Sequence, residues 1–224
     1  MKVQEKSDMD REIKKQFLSK WDKYSGRANL PIVFYYTDKD MEPIKPKPPK
    51  THRCVFRDII KVLRGKPITL DKDSIGCMGG KRYLGFSKEI MPDFEYFLSY
   101  RREGLEGECH KKNPEIVKEI MKKMPTFEAP GCYVVFKRID LLDEEERPEV
   151  VIFFDAPDLI SGLFTLANFD VSEDNIKVPF GAGCSTIVLY PYFERHSPHT
   201  LNTFSVHLTF PQGPIFNTIF LQTC

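Results

Sequence analysis

The feature that most constrains the fold is the stretch from Pro148 to Asp155, PEVVIFFD, whose five central residues are all apolar. It is far shorter than the roughly 20 residues that a membrane helix needs. A strand with water on one face alternates apolar and polar residues, whereas an unbroken apolar run is typical of a strand that is covered on both faces. We therefore expect Val150 to Phe154 to form a central strand of a sheet with helices packed on both sides.

Around this run, apolar periodicity and capping residues predict further helices and strands. In the helix that follows Asp155, the residues expected to face the core are Leu159, Leu163 and Leu166. No internal repeat or low-complexity linker divides the chain. The sequence predicts one α+β domain over residues 1–224, with a mixed β-sheet covered by helices and an N-terminal helix at 8–24 packed on it. Other predicted helices span 52–63, 94–102 and 114–124, and other predicted strands span 31–36, 67–70, 131–139 and 203–210.

Charge and composition exclude several classes of partner. The chain has 33 basic and 32 acidic residues, and this balance lacks the basic excess of a nucleic-acid-binding protein. No apolar run is long enough for a membrane span, and the first 15 residues lack the apolar core of a signal peptide. We expect a cytoplasmic protein whose partner is a small molecule or a redox protein, with no nucleic acid and no membrane. The oligomeric state is not readable from the sequence.

Six cysteines are the chemically notable residues: Cys54, Cys77, Cys109, Cys132, Cys184 and Cys224. No two of them form a CxxC pair, so zinc ribbons and thioredoxin-like motifs are not indicated. In the reducing cytoplasm we expect free thiols, metal ligands or catalytic residues rather than a disulfide framework.

Several ordered segments carry a resemblance to a known family. They are HRCVFRDIIKVLRGKP, IGCMGGKRYLGF, HKKNPEIV, PEVVIFFDAPDLISGLFTLANFD and VPFGAGCSTIVLYPYFE. In this order the chain resembles the prokaryotic family catalogued as domain of unknown function number 169, over about residues 51–194. The family pattern has cysteines at Cys54, Cys77 and Cys184 and implies no established activity. After Pro191 the chain departs from the pattern.

The surroundings of these three cysteines suggest a shared role. Cys54 lies at a predicted helix start, Cys77 in a glycine loop, and Cys184 after Gly181 and Gly183. Free backbone N–H groups at such positions stabilise thiolates, and iron–sulfur clusters are seated in this way. The first hypothesis is therefore an iron–sulfur cluster or another metal bound by the three cysteines, whose sulfurs would then lie within about 4–7 Å of each other. His52 and His110 are candidates for a fourth ligand.

Two alternatives stay open. Loops 76–80 and 181–185 could instead bind a metal-free small ligand through backbone amides, with Gly79, Gly80, Gly181, Gly183 and Ser185 as binding residues. A third hypothesis makes Cys184 a nucleophile, although no Cys–His signature is present. Whether the protein is an enzyme is left open by the sequence.

Overall fold

The computed structural model describes residues 2–39, 52–100, 102–105, 107–169, 172, 176–177, 185–194, 204–209 and 216–221. Within these, the description covers the backbone alone at 2–10, 176–177, 186, 194, 204–209 and 216–221. Among the described residues, no helix is both long enough and apolar enough to cross a membrane.

Helices and strands follow one another in an irregular order, as expected for an α+β protein. The helices are α1 (Lys2–Ser25), α2 (Val55–Lys61), α3 (Met78–Tyr83), α4 (Phe94–Leu98), α5 (Pro114–Lys123), α6 (Pro157–Ala167) and α7 (Tyr190–Glu194). A 3₁₀ turn, Val62–Arg64, extends α2, and a π-helical segment, Ser185–Leu189, leads into α7. The strands are β1 (Ile32–Thr37), β2 (Ile68–Leu70), β3 (Tyr133–Arg138), β4 (Val150–Asp155), β5 (Ile176–Lys177), β6 (Phe204–Thr209) and β7 (Phe216–Leu221).

The described strands form one mixed sheet in the order β2-β3-β1-β4-β7-β6-β5. All neighbouring pairs are antiparallel except β5 and β6, which are parallel. Strand β4 lies in the middle, with Val151 opposite Val33 of β1 on one side and Leu221 of β7 on the other. The predicted central strand and the predicted α+β domain with a mixed sheet are both confirmed.

The two faces of the sheet support separate cores. Phe34, Phe136 and Ile152 are fully buried on the first face, where side chains of α2, α3 and the π-helical segment pack against them. Val33 and Phe153 point to the second face, which α1 and α6 cover. Alternate residues of one strand therefore serve opposite cores, which explains why β4 contains no polar residue before Asp155.

The N-terminal helix packs on the second face through its aromatic residues. The ring of Trp21 lies 5.4 Å from that of Phe153 and 5.4 Å from that of Phe17. Lys14 adds a hydrogen bond of 2.5 Å from its ammonium group to the carbonyl oxygen of Leu142. The predicted packing of this helix is observed, and the helix begins six residues earlier than the expected residue 8.

Three expectations about local structure are wrong. In α6, Leu159 and Leu163 pack against the core as expected and Ile160 is the buried residue, but Leu166 is 66% exposed and does not face the core. The stretch 71–86, expected to be a loop, contains α3. The helix expected over 94–102 ends at Leu98.

Candidate functional site

The first cysteine of the predicted set, Cys54, caps the N-terminus of α2. Its backbone is extended (φ −64°, ψ 127°), and the helix begins at the next residue, Val55. Cys54 therefore precedes the first turn of the helix instead of lying within it. Val55 and Ile59 anchor the helix in the core of the first face. Cys54 is thus held in place by the burial of the turn that follows it.

The second cysteine, Cys77, caps α3 in the same way. Its backbone is extended (φ −137°, ψ 146°), and its Sγ accepts a hydrogen bond of 3.2 Å from the backbone N–H of Gly80. The sulfur therefore takes the place that a Ser or Asp oxygen usually occupies at an N-cap. An amide donor at this position favours the thiolate form of the cysteine.

Hydrogen bonds join the chain segments that lead into the two cysteines. The backbone N–H of Arg53 donates to the carbonyl oxygen of Gly76 at 3.1 Å. The Arg53 guanidinium donates to the Ser74 carbonyl oxygen at 3.3 Å and to the Asp58 carboxylate at 2.7 Å. Asp58 is buried and also accepts from Lys61 at 2.9 Å, so its charge is compensated. These contacts bring together two cysteines that lie far apart in the sequence.

The pKa of Cys54 depends on its neighbour Cys77. A hydrogen bond with Cys77, followed by burial, raises the pKa of the Cys54 thiol well above its ordinary value. The amides of Phe56 and Arg57 act in the opposite sense, although neither makes a regular cap hydrogen bond with this sulfur. Cys54 thus retains its proton at neutral pH, and a metal ion would displace this proton on binding. The residue as a whole is exposed, so solutes reach Cys54 from outside.

Gly80 is required by the close approach of α3 to its neighbours. A Cβ atom built at this position would lie 2.8 Å from the Cys77 Sγ and 2.9 Å from a methyl carbon of Val55. At Gly79 the nearest atom would be a ring carbon of Tyr83 at 3.4 Å, which is an ordinary contact. Of the two glycines, Gly80 is therefore the one whose missing side chain lets a backbone amide reach a sulfur.

The third cysteine of the predicted set, Cys184, lies outside the described residues, as do Gly181 and Gly183. The description resumes at Ser185, which is fully buried. The π-helical segment that starts there packs against α3, and its Ile187 belongs to the same core as Val55 and Tyr83. Helical segments of this π type are frequent at functional sites.

The other described cysteines and the candidate histidines are not part of the pair. Cys109 and Cys132 are exposed, and the thiol of Cys132 bonds to Asp38, which raises its pKa. His110 pairs with Glu108 at 3.0 Å, and His52 is exposed. Within the described part of the chain, no three His, Cys, Asp or Glu side chains lie close enough together to hold a metal ion. The described residues thus offer two thiol ligands and no third.

The glycine loop at 76–80 offers little to a metal-free ligand. The amide of Gly80 is already bonded to the Cys77 sulfur, and the carbonyl of Gly76 to Arg53. Two described surface cavities, of about 880 and about 920 Å³, are lined by other segments. The first lies along α5 and the second beside residues 85–89 and 128–133. The geometry therefore favours the thiol pair over the glycine loop as the reactive feature.

Comparisons with known proteins place the chain in a family. No curated protein and no solved structure matches it at a significant level. A family model matches residues 24–205, which is most of the chain and a wider span than the resemblance over 51–194 indicated. The matched span contains Cys54, Cys77 and Cys184 but not Cys224. The chain therefore belongs to the family of domain of unknown function 169 (DUF169), described as "Uncharacterised ArCR".

Proposed function

We propose that this protein binds an iron–sulfur cluster or another thiophilic metal ion through Cys54, Cys77 and Cys184. The observation that carries the proposal is the hydrogen bond of 3.1 Å from the Arg53 N–H to the Gly76 carbonyl oxygen, which joins the residues just before two cysteines that 22 intervening residues separate in the sequence. Thiolate sulfur is the donor that selects zinc, copper(I) and iron–sulfur clusters over harder cations.

Backbone amides beside the pair favour thiolates, although the net effect of the surroundings is to raise the pKa of Cys54. The Gly80 amide donates to the Cys77 sulfur, and the amides of Phe56 and Arg57 favour a negative charge on the Cys54 sulfur. Backbone donors of this kind tune metal–thiolate centres without adding a competing ligand. The guanidinium of Arg53 forms its ion pair with Asp58. Metal binding at the thiols would therefore not have to break an ion pair between Arg53 and a thiolate.

Cys184 is the proposed third ligand. Its immediate successor, Ser185, starts the segment that packs on α3, the helix that Cys77 caps. A site with three protein ligands would leave one coordination position open, which is typical of catalytic rather than purely structural metal sites. An open position facing the exposed side of Cys54 would admit a small molecule, so the partner expected from the sequence is compatible with this site.

Anaerobic purification with metal and sulfide analysis tests the proposal. We expect bound metal in the wild-type protein, as isolated or after anaerobic reconstitution, and for a cluster a broad absorbance near ~400 nm. Cys54→Ser, Cys77→Ser and Cys184→Ser should each lower metal retention. Cys109→Ser and Cys132→Ser are the matched controls, because these thiols are exposed and bonded elsewhere.

Two results would contradict the proposal. A reconstituted wild-type protein with no more metal than the Cys54→Ser variant would exclude a centre at this pair. Equal losses of metal in the control variants would show non-specific binding to thiols. Loss of metal in Cys54→Ser and Cys77→Ser but not in Cys184→Ser would remove the third ligand from the proposed set.

A further inference from the structure

A backbone hydrogen bond joins the two chain segments that carry Cys54 and Cys77. Both residues are extended, and the hydrogen bond from the Arg53 N–H to the Gly76 carbonyl oxygen, at 3.1 Å, joins the residues just before them. Neighbouring extended segments lie about 4.7–5.5 Å apart. The Cα atoms of disulfide-linked cysteines are usually about 4.4–6.8 Å apart. Because the residues just before them are hydrogen-bonded, we infer that the two cysteines lie close enough for a disulfide to join them.

We propose that Cys54 and Cys77 are a redox-active dithiol that forms a reversible disulfide by exchange with a small aliphatic disulfide. This inference does not depend on metal binding, because it uses only the two described thiols. The roles of the two sulfurs differ. Cys54 is exposed and receives the external reagent, whereas Cys77 is half-buried and reacts second.

The exchange balances in two steps. Cys54 gives up its proton, attacks one sulfur of the reagent RSSR, forms a Cys54–S–S–R mixed disulfide and releases RS⁻, which takes up that proton. The Cys77 thiolate then attacks the Cys54 sulfur, forms the Cys54–Cys77 bond and releases the second RS⁻, which takes up the proton from Cys77. Two electrons pass from the protein to the reagent, which leaves as two thiols.

Gly80 contributes to the second step. Its amide donates to the Cys77 sulfur at 3.2 Å and so stabilises the thiolate that performs the attack. We expect an exposed cysteine such as Cys132 to stop at the mixed disulfide, because no thiol partner is found for it among the described residues. The structure thus predicts two distinct end products at two classes of cysteine.

Peptide mapping of the full-length chain distinguishes these products. The reduced protein is freed of metal with a chelator, treated with oxidised glutathione, blocked with an alkylating reagent and digested with trypsin. Cleavage at Lys and Arg places Cys54 in the peptide of residues 54–57 and Cys77 in that of residues 73–81. We expect these two peptides to be linked by a disulfide in the wild-type protein and in the control variant Cys132→Ser.

The two active-site variants should fail in different ways. Cys77→Ser should accumulate glutathione on the peptide of residues 54–57, since the resolving thiol is absent. Cys54→Ser should leave Cys77 largely unmodified, since the reagent does not reach it. A stable glutathione adduct on Cys54 in the wild-type protein, as in Cys77→Ser, would refute the proposal, and so would unmodified Cys54 in a sample where Cys132 has reacted. Metal analysis of the untreated protein is a separate readout, so this failure and failure of the metal proposal are distinguishable.

Discussion

Replacing Gly80 by alanine isolates the close contact on which the candidate site depends. The added Cβ would lie 2.8 Å from the Cys77 Sγ, 2.9 Å from a Val55 methyl carbon and 3.0 Å from an Ile75 methyl carbon. Val55 is 1% exposed and Ile75 is 3% exposed, so neither side chain can move into solvent. The sulfur is the third neighbour, and its displacement would weaken the bond from the Gly80 amide.

Two opposing effects determine how much Gly80→Ala changes the free energy of unfolding. Alanine is favoured over glycine within a helix by about 0.5–1 kcal/mol. Overpacking of a well-filled core by one extra carbon costs about 1–3 kcal/mol. We expect the cost of overpacking to exceed the gain in helix propensity, because all three neighbours are closer to the added Cβ than ordinary van der Waals contact. The expected net loss in the free energy of unfolding is about 1–2 kcal/mol, or a few degrees in Tm for a chain of this length.

Gly79→Ala is the matched control, because Gly79 precedes Gly80 in the same short helix. Its Cβ would meet only a Tyr83 ring carbon at 3.4 Å, so we expect a gain of up to about 0.5–1 kcal/mol. Urea unfolding of the reduced, chelator-treated proteins should therefore separate the two variants by about 1.5–3 kcal/mol. Equal midpoints with unchanged slopes would show that α3 is not packed as described and would remove the structural basis for the bond to Cys77.

Two further predictions concern the core and the acid stability. Ile160→Ala should lower the free energy of unfolding by about 2–5 kcal/mol, because the Ile160 side chain is 2% exposed. Leu166 is 66% exposed, so in urea unfolding Leu166→Ala should stay within about 0.5 kcal/mol of the parent. Similar losses in both variants would mean that α6 presents another face to the core. The Arg138 guanidinium donates to the two carboxylate oxygens of Asp140 at 2.6 and 2.7 Å, and it holds the pKa of Asp140 below its usual value. The pair therefore contributes stability above a pH of about 4, and this contribution is lost as the pH falls through the lowered pKa. Asp140→Asn should therefore be less stable than the parent at pH 7, with the difference shrinking in acid, and a difference that is constant with pH would show that ionisation of Asp140 is not its source.

The central part of the fold is predictable because its signals are local. The apolar run of β4 has no polar residue to place on a wet face, so a strand buried on both sides is its simplest structure. Asn113 and Pro114 mark the start of α5, where the Asn113 side chain accepts from the Ile116 N–H at 3.0 Å. Each of these features needs only a few neighbouring residues to be recognised.

Other elements depend on partners that are remote in the sequence. Strand β7 comes from a mixed stretch too short to assign, and it is a strand because it pairs with β4 on one side and β6 on the other. Helix α3 contains two glycines and has low helix propensity, yet the Cys77 cap and the burial of Tyr83 stabilise it. In both cases tertiary contacts override the local preference.

The candidate site likewise has some features that the local sequence indicates and others that depend on contacts between remote segments. The position of Cys54 near a helix start and that of Cys77 among glycines are readable from the sequence, and they were sufficient to group the two residues. The hydrogen bond between Arg53 and Gly76 was not readable, since it joins two loops that carry no pattern of pairing. The role of Gly80 was missed as well, because a glycine that avoids a clash looks the same in sequence as a glycine in a flexible loop.

The kind of donor around the thiol pair connects its two proposed uses. The described groups that favour negative charge on these sulfurs are backbone amides, while the guanidinium of Arg53, the residue before Cys54, is bound to Asp58. An amide fixed in a helix turn keeps its position whether the sulfur carries a proton, a metal or a second sulfur. A charged side chain would have to move away whenever a cation arrived. The pair is therefore suited to exchange one partner for another with little rearrangement, and oxidation to a disulfide would remove two of the three proposed thiolate ligands at once.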